Sequence, residues 1–520
     1  MMFNLSEIIK KYKKTITILS LFVCLLYSYY TLHELTNVGD GFWQQSFHYA
    51  GDVERASGRW IWPYVDVIQR GLHMEPINML VTMFIFIIGF ILTLYILDVK
   101  DGWLAAIGGC IFFSTPIFSA IVSYRFMSII YALAFLAAVL AAVCNEKIKN
   151  RYWAIFLAAV CFSISMGLYQ SYIGIFCLVG LISFVLILLQ NDDYKEKLLE
   201  AAIRYFVSLF LGGILYFVSL KINLKITGSE LSDYRGINSI NILTILQTLP
   251  SSIRQVYRIF WFYIRDNLMR MNILNTIHWE LAYHCILFVA FVGGITWNLK
   301  KNKKLQPGRI IILLCCIVLV PVACGFANIL ALGADFMPQT GGPFAFFSAI
   351  SFAIVCKLIF DNNIQPKKLV AGVVVTGCVI NVYGQTMQVL MDHKVMQEDY
   401  TATVSLMQGL LQDLNSKGML TSEKEYFFIG MPSANPLFGK SELRSQVNEY
   451  AKVGSFWLSG TAMAASYTAL LQNVMGLNLH VSYDEYESKA YDEYYQNMPC
   501  YPYGEYAVAW DTIIVKVSEP

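Results

Sequence analysis

The chain has 520 residues, 57% of them hydrophobic and only 14% charged. A soluble domain carries roughly a quarter charged residues, so a soluble enzyme is excluded and a polytopic α-helical membrane protein is expected. The net charge of +2 gives no support to a nucleic-acid partner.

A membrane span needs about 20 mostly apolar residues, and about eleven runs meet that need. They are 15–33, 76–97, 103–123, 126–144, 153–168, 172–190, 202–220, 278–297, 310–330, 344–360 and 369–383. The first run is too long for the apolar part of a signal peptide, and no small-residue cleavage site follows it, so it reads as a retained span. Basic residues mark the cytoplasmic side of a membrane protein. Lys10, Lys11, Lys13 and Lys14 precede the first run, and Lys147, Lys149, Arg151, Lys195 and Lys197 flank later ones. Lys300, Lys301, Lys303, Lys304, Arg309, Lys367 and Lys368 fall on the same side. The expected placement is therefore multi-pass in the cytoplasmic (inner) membrane, with the N-terminus cytoplasmic. Loops 34–75, 124–125, 169–171, 223–277 and 333–343, and the tail from 384, then lie outside.

The outer loop 34–75 is the richest in chemistry. It carries acids at Asp40, Asp52, Glu54 and Asp66, and bases at Arg55, Arg59 and Arg70. Trp43, Trp60, Trp62 and Tyr64 are interleaved with them. Such rings favour the membrane–water interface, having an apolar body and a polar edge. Asp40 stands between Gly39 and Gly41, so its backbone allows close approach of a ligand. A carboxylate there suits a general base toward a hydroxyl. Asp52 and Glu54 are rivals, each also readable as a surface acid pairing with Arg55. Arg59, between Gly58 and Trp60, offers a planar fork that matches phosphate. Arg125 stands at an outer turn between two apolar runs, where a charge is costly and often functional.

Further along, Tyr169 and Gln170 cap a tight hairpin on the same side. The long loop 223–277 contains the stretch 253–271, in which Arg254, Arg258, Arg265 and Arg270 recur at helical spacing among aromatics. That pattern suits an interfacial amphipathic helix near phosphate headgroups. The tail is acidic and tyrosine-rich, with Asp392, Glu398 and Asp399 among its acids. Helical periodicity at 403–416, strand-like runs at 426–429 and 513–517 and a short apolar run at 462–477 point to a small α/β domain. The expected division is a transmembrane domain over 1–386 and an extracytoplasmic α/β domain over 387–520.

Of the twelve cysteines, all but Cys500 fall in apolar runs. No Cys/His spacing suggests a metal. There is no P-loop and no strand–GxGxxG–helix unit. Nucleotide sugars are scarce outside the cell, so an enzyme working there needs a donor carried on a lipid phosphate.

Three short motifs then appear in order. The acidic first loop runs from Asp40 through Gly58-Arg59-Trp60 to Pro63. A Gly-Leu-Tyr-Gln-Ser hairpin follows at 167–171. The tail closes with Met-Pro-x-Tyr-Pro-x-Gly at 498–504 and a β-branched strand. In these features, and over nearly its whole length, the chain resembles the GtrII family of membrane glucosyltransferases, which are polyprenyl-phosphate-dependent enzymes of the GT-C class. It departs from that pattern near Asp40, where Gly39 precedes the acid and Gln44 and Gln45 follow. The resemblance implies a GT-C-like membrane fold and transfer of a glucosyl or similar hexosyl group. The donor would be an undecaprenyl-phosphate sugar and the acceptor a surface polysaccharide such as O-antigen. It also implies two partners, a small flippase and a cytoplasmic-side enzyme that makes the lipid-linked sugar.

On this reading Asp40 is the base of an inverting transfer, with Asp52 and Glu54 as alternatives. Arg59, Arg125 and Arg258 hold the donor phosphate, and Tyr169, Gln170 and Trp60 contact substrate. No cofactor beyond the donor is expected. The alternative is a lipid-linked oligosaccharide flippase or polymerase without this activity. A transporter places charges deep in several spans, whereas these runs are nearly uncharged.

Overall fold

The ends of the apolar runs show why they become helices. Asp101 accepts hydrogen bonds from the Trp103 and Leu104 amides at 2.9 and 3.0 Å, and Asn150 does the same for Tyr152 and Trp153 at 3.0 and 3.2 Å. Each satisfies N–H groups that a helix start leaves without partners. The computed structural model describes residues 5–37, 47–232, 242–269, 278–331, 336–361, 367–455, 460–482, 492–504, 506–509 and 511–519.

Helix α1 (Leu5–Leu26) starts among the lysines, and a short helix, Ser28–Leu32, follows it. The run expected as a first span over 15–33 is thus shared between two helices. Two loop helices, α2 (Asp52–Ala56) and α3 (Trp62–Gln69), precede α4 (Ile77–Ile96). Then α5 (Gly102–Ser114) and α6 (Pro116–Ser123) meet at a bend of 58°. Pro116 disfavours helical backbone at the residue before it, and Thr115 is extended, with ψ 135°. The chain continues through α7 (Ser128–Lys147), α8 (Arg151–Leu168), α9 (Ile173–Gln190) and α10 (Tyr194–Thr227). Next come α11 (Ile242–Asp266), α12 (Trp279–Lys301), α13 (Pro307–Cys324), α14 (Gly342–Asp361) and α15 (Lys367–Ser416). Among the described residues nine helices are long and apolar enough to cross a membrane, or up to ten if the bent pair is one span. Eleven were expected. The shortfall lies at α1, which draws Lys10, Lys11, Lys13 and Lys14 into its length, and at the run 103–123, which is broken into the bent pair α5 and α6. The chain is a membrane protein, mostly helical, with a small sheet near its C-terminus.

Two compact units form. The first comprises Met1–Ser28, Tyr49–Val122 and Met127–Val389. Its centre is a knot of phenylalanines. The Phe112 ring lies 5.0 Å from Phe118, 5.5 Å from Phe135 and 6.0 Å from Phe86 and Phe346. Lipid is as apolar as leucine, so helices in it associate through close packing, and small residues permit this. A Cβ on Gly212 of α10 would lie 2.9 Å from the Ala159 carbonyl of α8, and one on Gly174 of α9 would lie 2.6 Å from the Ala323 carbonyl of α13.

The basic residues have local work. Arg204 donates to the Asn145 and Ile148 carbonyls, both at 3.0 Å, at the end of α7. Lys304 donates to the Gln190 carbonyl at 2.8 Å, and Arg309 to the Leu188 and Asp192 carbonyls, at the end of α9. Lys357 reaches the Asp98 carbonyl, past the end of α4, at 2.7 Å. A helix ends with carbonyls that lack partners and carry partial negative charge, and cations satisfy both needs.

The second unit comprises Tyr29–His48, Ser123–Phe126 and Leu390–Pro520. It holds a four-stranded sheet of β1 (Glu425–Ile429), β2 (His480–Val481), β3 (Ala507–Ala509) and β4 (Thr512–Lys516), in the order β2-β1-β4-β3. The β1 strand pairs parallel with β2 and β4, and β3 pairs antiparallel with β4. Tyr426 and Phe428 point into one apolar cluster, and Phe427 and Ile429 into another. A strand covered on both faces reads as a continuous apolar run rather than an alternation. The apolar run at 462–477 forms α16 (Gly460–Ala469) and a following turn of π-helix, packed on the same sheet. Two tail acids lie inside this unit. Asp392 accepts from the Asn448 amide N–H at 3.1 Å, the Asn448 side chain at 2.7 Å and the Tyr450 hydroxyl at 2.8 Å. Asp399 accepts from the Val453 amide at 3.1 Å and pairs with Arg444.

Candidate active site

Asp40, the expected base, lies outside the described residues, as does Trp43. The loop is described again from Phe47, and its acids from there on serve local structure. Glu54 Oε2 accepts the Gly51 amide at 2.7 Å. Asp52 accepts from Arg55 at 3.2 Å and from the Ser229 hydroxyl at 2.7 Å. Asp66 is fully buried and accepts the Ala50 amide at 2.8 Å. These bonds fold the loop into α2 and α3, and Pro63 in the first turn of α3 sets that helix's start. Tyr64, Val67 and Ile68 of α3 are exposed while Trp62 is buried. This is the sidedness of a helix lying at an interface.

Between the two loop helices the chain turns at Gly58, with φ +82°. The turn is pinned from two other elements. Gln170 Nε2 donates to the Ser57 carbonyl and to the Tyr216 hydroxyl, both at 3.1 Å. Tyr216, on α10, donates to the Gly58 carbonyl at 3.1 Å. The Ile61 amide donates to the Gly167 carbonyl at 3.0 Å, tying the segment after the turn to the end of α8. Arg59 is thereby set with its guanidinium 4.9 Å from the centre of the Tyr169 ring. At this distance the cation is attracted to the ring face, and its Nε is buried with no hydrogen-bond partner among the described residues. Trp60 Nε1 is buried beside Gly167 and has no hydrogen-bond partner among the described residues. Arg59, Trp60, Tyr169 and Gln170 therefore converge, as a basic and aromatic corner in the first unit.

Arg125 is placed differently. It belongs to the second unit, is 3% exposed, and donates to the Glu34 carbonyl at 3.0 Å. Its position is a buried clamp on that backbone rather than a side chain reaching for headgroups. Arg258 is exposed on α11, with its guanidinium 5.5 Å from the Phe262 ring one turn on. Tyr216 was missed in the sequence, where it stands as one tyrosine within an apolar run.

The residue order around this corner matches a known pattern. The family model for glucosyl transferase GtrII matches residues 44–358. The chain belongs to the GtrII glucosyl transferase family. That match covers well over half of the chain and includes Arg59, Trp60, Tyr169, Gln170, Tyr216 and Arg258; Asp40 and the C-terminal sheet fall outside it. Neither the curated proteins nor the solved structures gave a match. As a GtrII chain this protein is a glycosyltransferase built into a membrane by its apolar helices.

Proposed function

We propose that this GtrII protein is an inverting GT-C enzyme on the outer face of the cytoplasmic membrane. It moves a glucosyl or related hexosyl group from a polyprenyl-phosphate-linked donor to a surface glycan. The observation that carries the reading is the Arg59 corner, a guanidinium held 4.9 Å from the centre of the Tyr169 ring within the matched family region. A preorganised cation stabilises the charge that develops on a departing phosphate. In the proposed reaction Asp40 takes the proton from the acceptor hydroxyl, that oxygen attacks the anomeric carbon, and the polyprenyl phosphate leaves toward Arg59. Gln170 and Tyr216 act as positioning residues, since they hold the turn that presents Arg59. The lysine-rich helix ends face the cytoplasm, and the second unit faces outward, where its tyrosines meet the glycan. A flippase and a lipid-phosphate sugar synthase supply the donor.

The test uses purified variants and a synthetic polyprenyl-phosphate glucose. A positioned base contributes roughly a hundred- to ten-thousand-fold. Asp40→Asn should insert and bind donor yet lose activity on that scale. Asp52→Asn and Glu54→Gln should keep most of theirs, being local caps and ion-pair partners. Full activity in Asp40→Asn with loss in Asp52→Asn moves the base to Asp52. Full activity in all three removes this loop's acids from the chemistry.

A further inference from the structure

The Arg59 corner lies at the C-terminal end of α8. Before the other end of that helix, α7 closes with Lys147, whose ammonium lies 4.7 Å from the centre of the Tyr95 ring on α4. Lys11 of α1 lies 6.0 Å from the centre of the same ring. Lys11, Lys100 and Lys357 share one carboxylate, that of Asp98, at 3.2, 3.6 and 3.9 Å. Four cations from α1, the turn after α4, α7 and α14 are thus drawn together around one ring and one acid.

The balance of charge here is positive. The neighbouring acids have local work: Asp101 caps the start of α5, and Glu146 accepts from the Ser183 and Tyr205 hydroxyls. Lys147 forms no ion pair among the described residues. Lys10, Lys13 and Lys14 are exposed on the same turns of α1, and Glu7 is the one acid of that helix. The cluster is also preset. The buried Tyr12 donates to the Val99 carbonyl at 2.8 Å and Thr15 to the Gly102 carbonyl at 3.0 Å, which hold α1 on the turn that carries Asp98 and Lys100. Like charges held this close repel one another, and a phosphate shared between them removes the repulsion. Aromatic side chains mark the depth. Trp103 in the first turn of α5, and Tyr152 and Trp153 in the first turn of α8, are exposed at this end, as rings at headgroup level are. Leu21 and Leu25, further along α1, are exposed as well.

We propose that this cluster binds the phosphate headgroup of an anionic phospholipid, with Lys11 and Lys147 on its oxygens. On the orientation proposed above this end faces the cytoplasm, where the leaflet is anionic and basic residues at helix ends attract its headgroups. Asp98 is exposed, and exposed ion pairs contribute little, so Lys11 turns from it to a phosphate at small cost. Lysine binds phosphate as a point charge, which suits a headgroup that arrives along the membrane plane. A free anion meets the same lysines, but the exposed tryptophans and leucines beside them fit a ligand that also carries acyl chains.

The experiment uses full-length protein in nanodiscs of phosphatidylcholine, with or without phosphatidylglycerol, read by native mass spectrometry and thermal unfolding. The wild type should retain phosphatidylglycerol over phosphatidylcholine by about tenfold, as attraction by a few lysines near a headgroup gives, and should melt higher when it is present. Lys11→Gln combined with Lys147→Gln should cut that preference to about twofold, with the melting temperature in pure phosphatidylcholine unchanged. Lys11→Arg with Lys147→Arg should keep it. Lys300→Gln with Lys303→Gln removes the same charge from two exposed lysines at the end of α12 and should also keep it. Equal loss in that control pair would make the effect one of diffuse surface charge and overturn the proposal. The wild type alone can overturn it too, in two ways that need no variant to fold. One is equal retention of the two lipids. The other is the same rise in melting temperature from inorganic phosphate in pure phosphatidylcholine, which would make this a free-anion site.

Discussion

Arg59 depends on its neighbour. A Cβ on Gly58 would lie 2.4 Å from the Tyr216 hydroxyl and 2.6 Å from Gln170 Nε2, at a φ of +82°. Left-handed backbone costs an ordinary residue roughly 1–2 kcal/mol, and the added methyl displaces both pinning groups. Gly58→Ala should therefore lose more activity than stability, because the turn moves while the bundle stays. Arg59→Lys keeps the charge but loses the fork and the ring stacking. It should fold as the wild type does and show a lower kcat/KM for the lipid-phosphate donor. Wild-type transfer rates in both variants would make Arg59 a headgroup anchor. Four members of this corner were legible because they stand in short polar stretches between apolar runs. Tyr216 was not, since its partner Gly58 is 158 residues away and a hydroxyl inside an apolar run carries no sign of what it meets.

Helices α8 and α10 are held by contact between small residues. On α10, a Cβ at Gly212 would meet Phe162 Cδ1 at 2.6 Å and the Ala159 carbonyl at 2.9 Å, whereas one at Gly213 meets nothing within 4 Å. Gly212→Leu should push the helices apart, and overpacking of this kind costs about 1–3 kcal/mol. Gly213→Leu, next to it, is the control for hydrophobicity and helix propensity. Thermal unfolding in detergent should show a lower melting temperature for Gly212→Leu alone. Equal shifts in the two would mean that the close approach carries no stability. At this scale the sequence was most readable where length and apolarity agree, as for α4, α7 and α9. It was least readable at breaks and extensions. Pro116 interrupts a run that hydropathy treats as continuous. The 50-residue α15 runs on past Asp392 because the Asn448 and Tyr450 side chains satisfy that acid.

At the scale of the whole chain, the two units were only partly visible in composition. The acidic, strand-bearing tail marks most of the second unit. The short pieces Tyr29–His48 and Ser123–Phe126 join it through long-range bonds such as the Asn37 amide to the Ser123 carbonyl at 2.9 Å, which no local pattern encodes. Which side of the membrane this unit faces is testable at Cys500, a partly exposed thiol outside the apolar runs. Partial burial and the nearby Glu519 carboxylate, 3.7 Å from Sγ, push this thiol above the ordinary cysteine range. The thiolate is the reactive form, so a smaller fraction reacts at neutral pH than for a free cysteine. The labelling rate should keep rising as the pH passes the usual thiol value of about 8.5. A membrane-impermeant maleimide applied to intact cells, or to spheroplasts where an outer membrane exists, should label the wild type and spare Cys500→Ser. Thiols within hydrocarbon stay protonated and out of the reagent's reach. Labelling that requires a broken inner membrane would place the second unit in the cytoplasm, reverse the orientation drawn from the lysines, and bring the Arg59 corner to the side where nucleotide sugars are available.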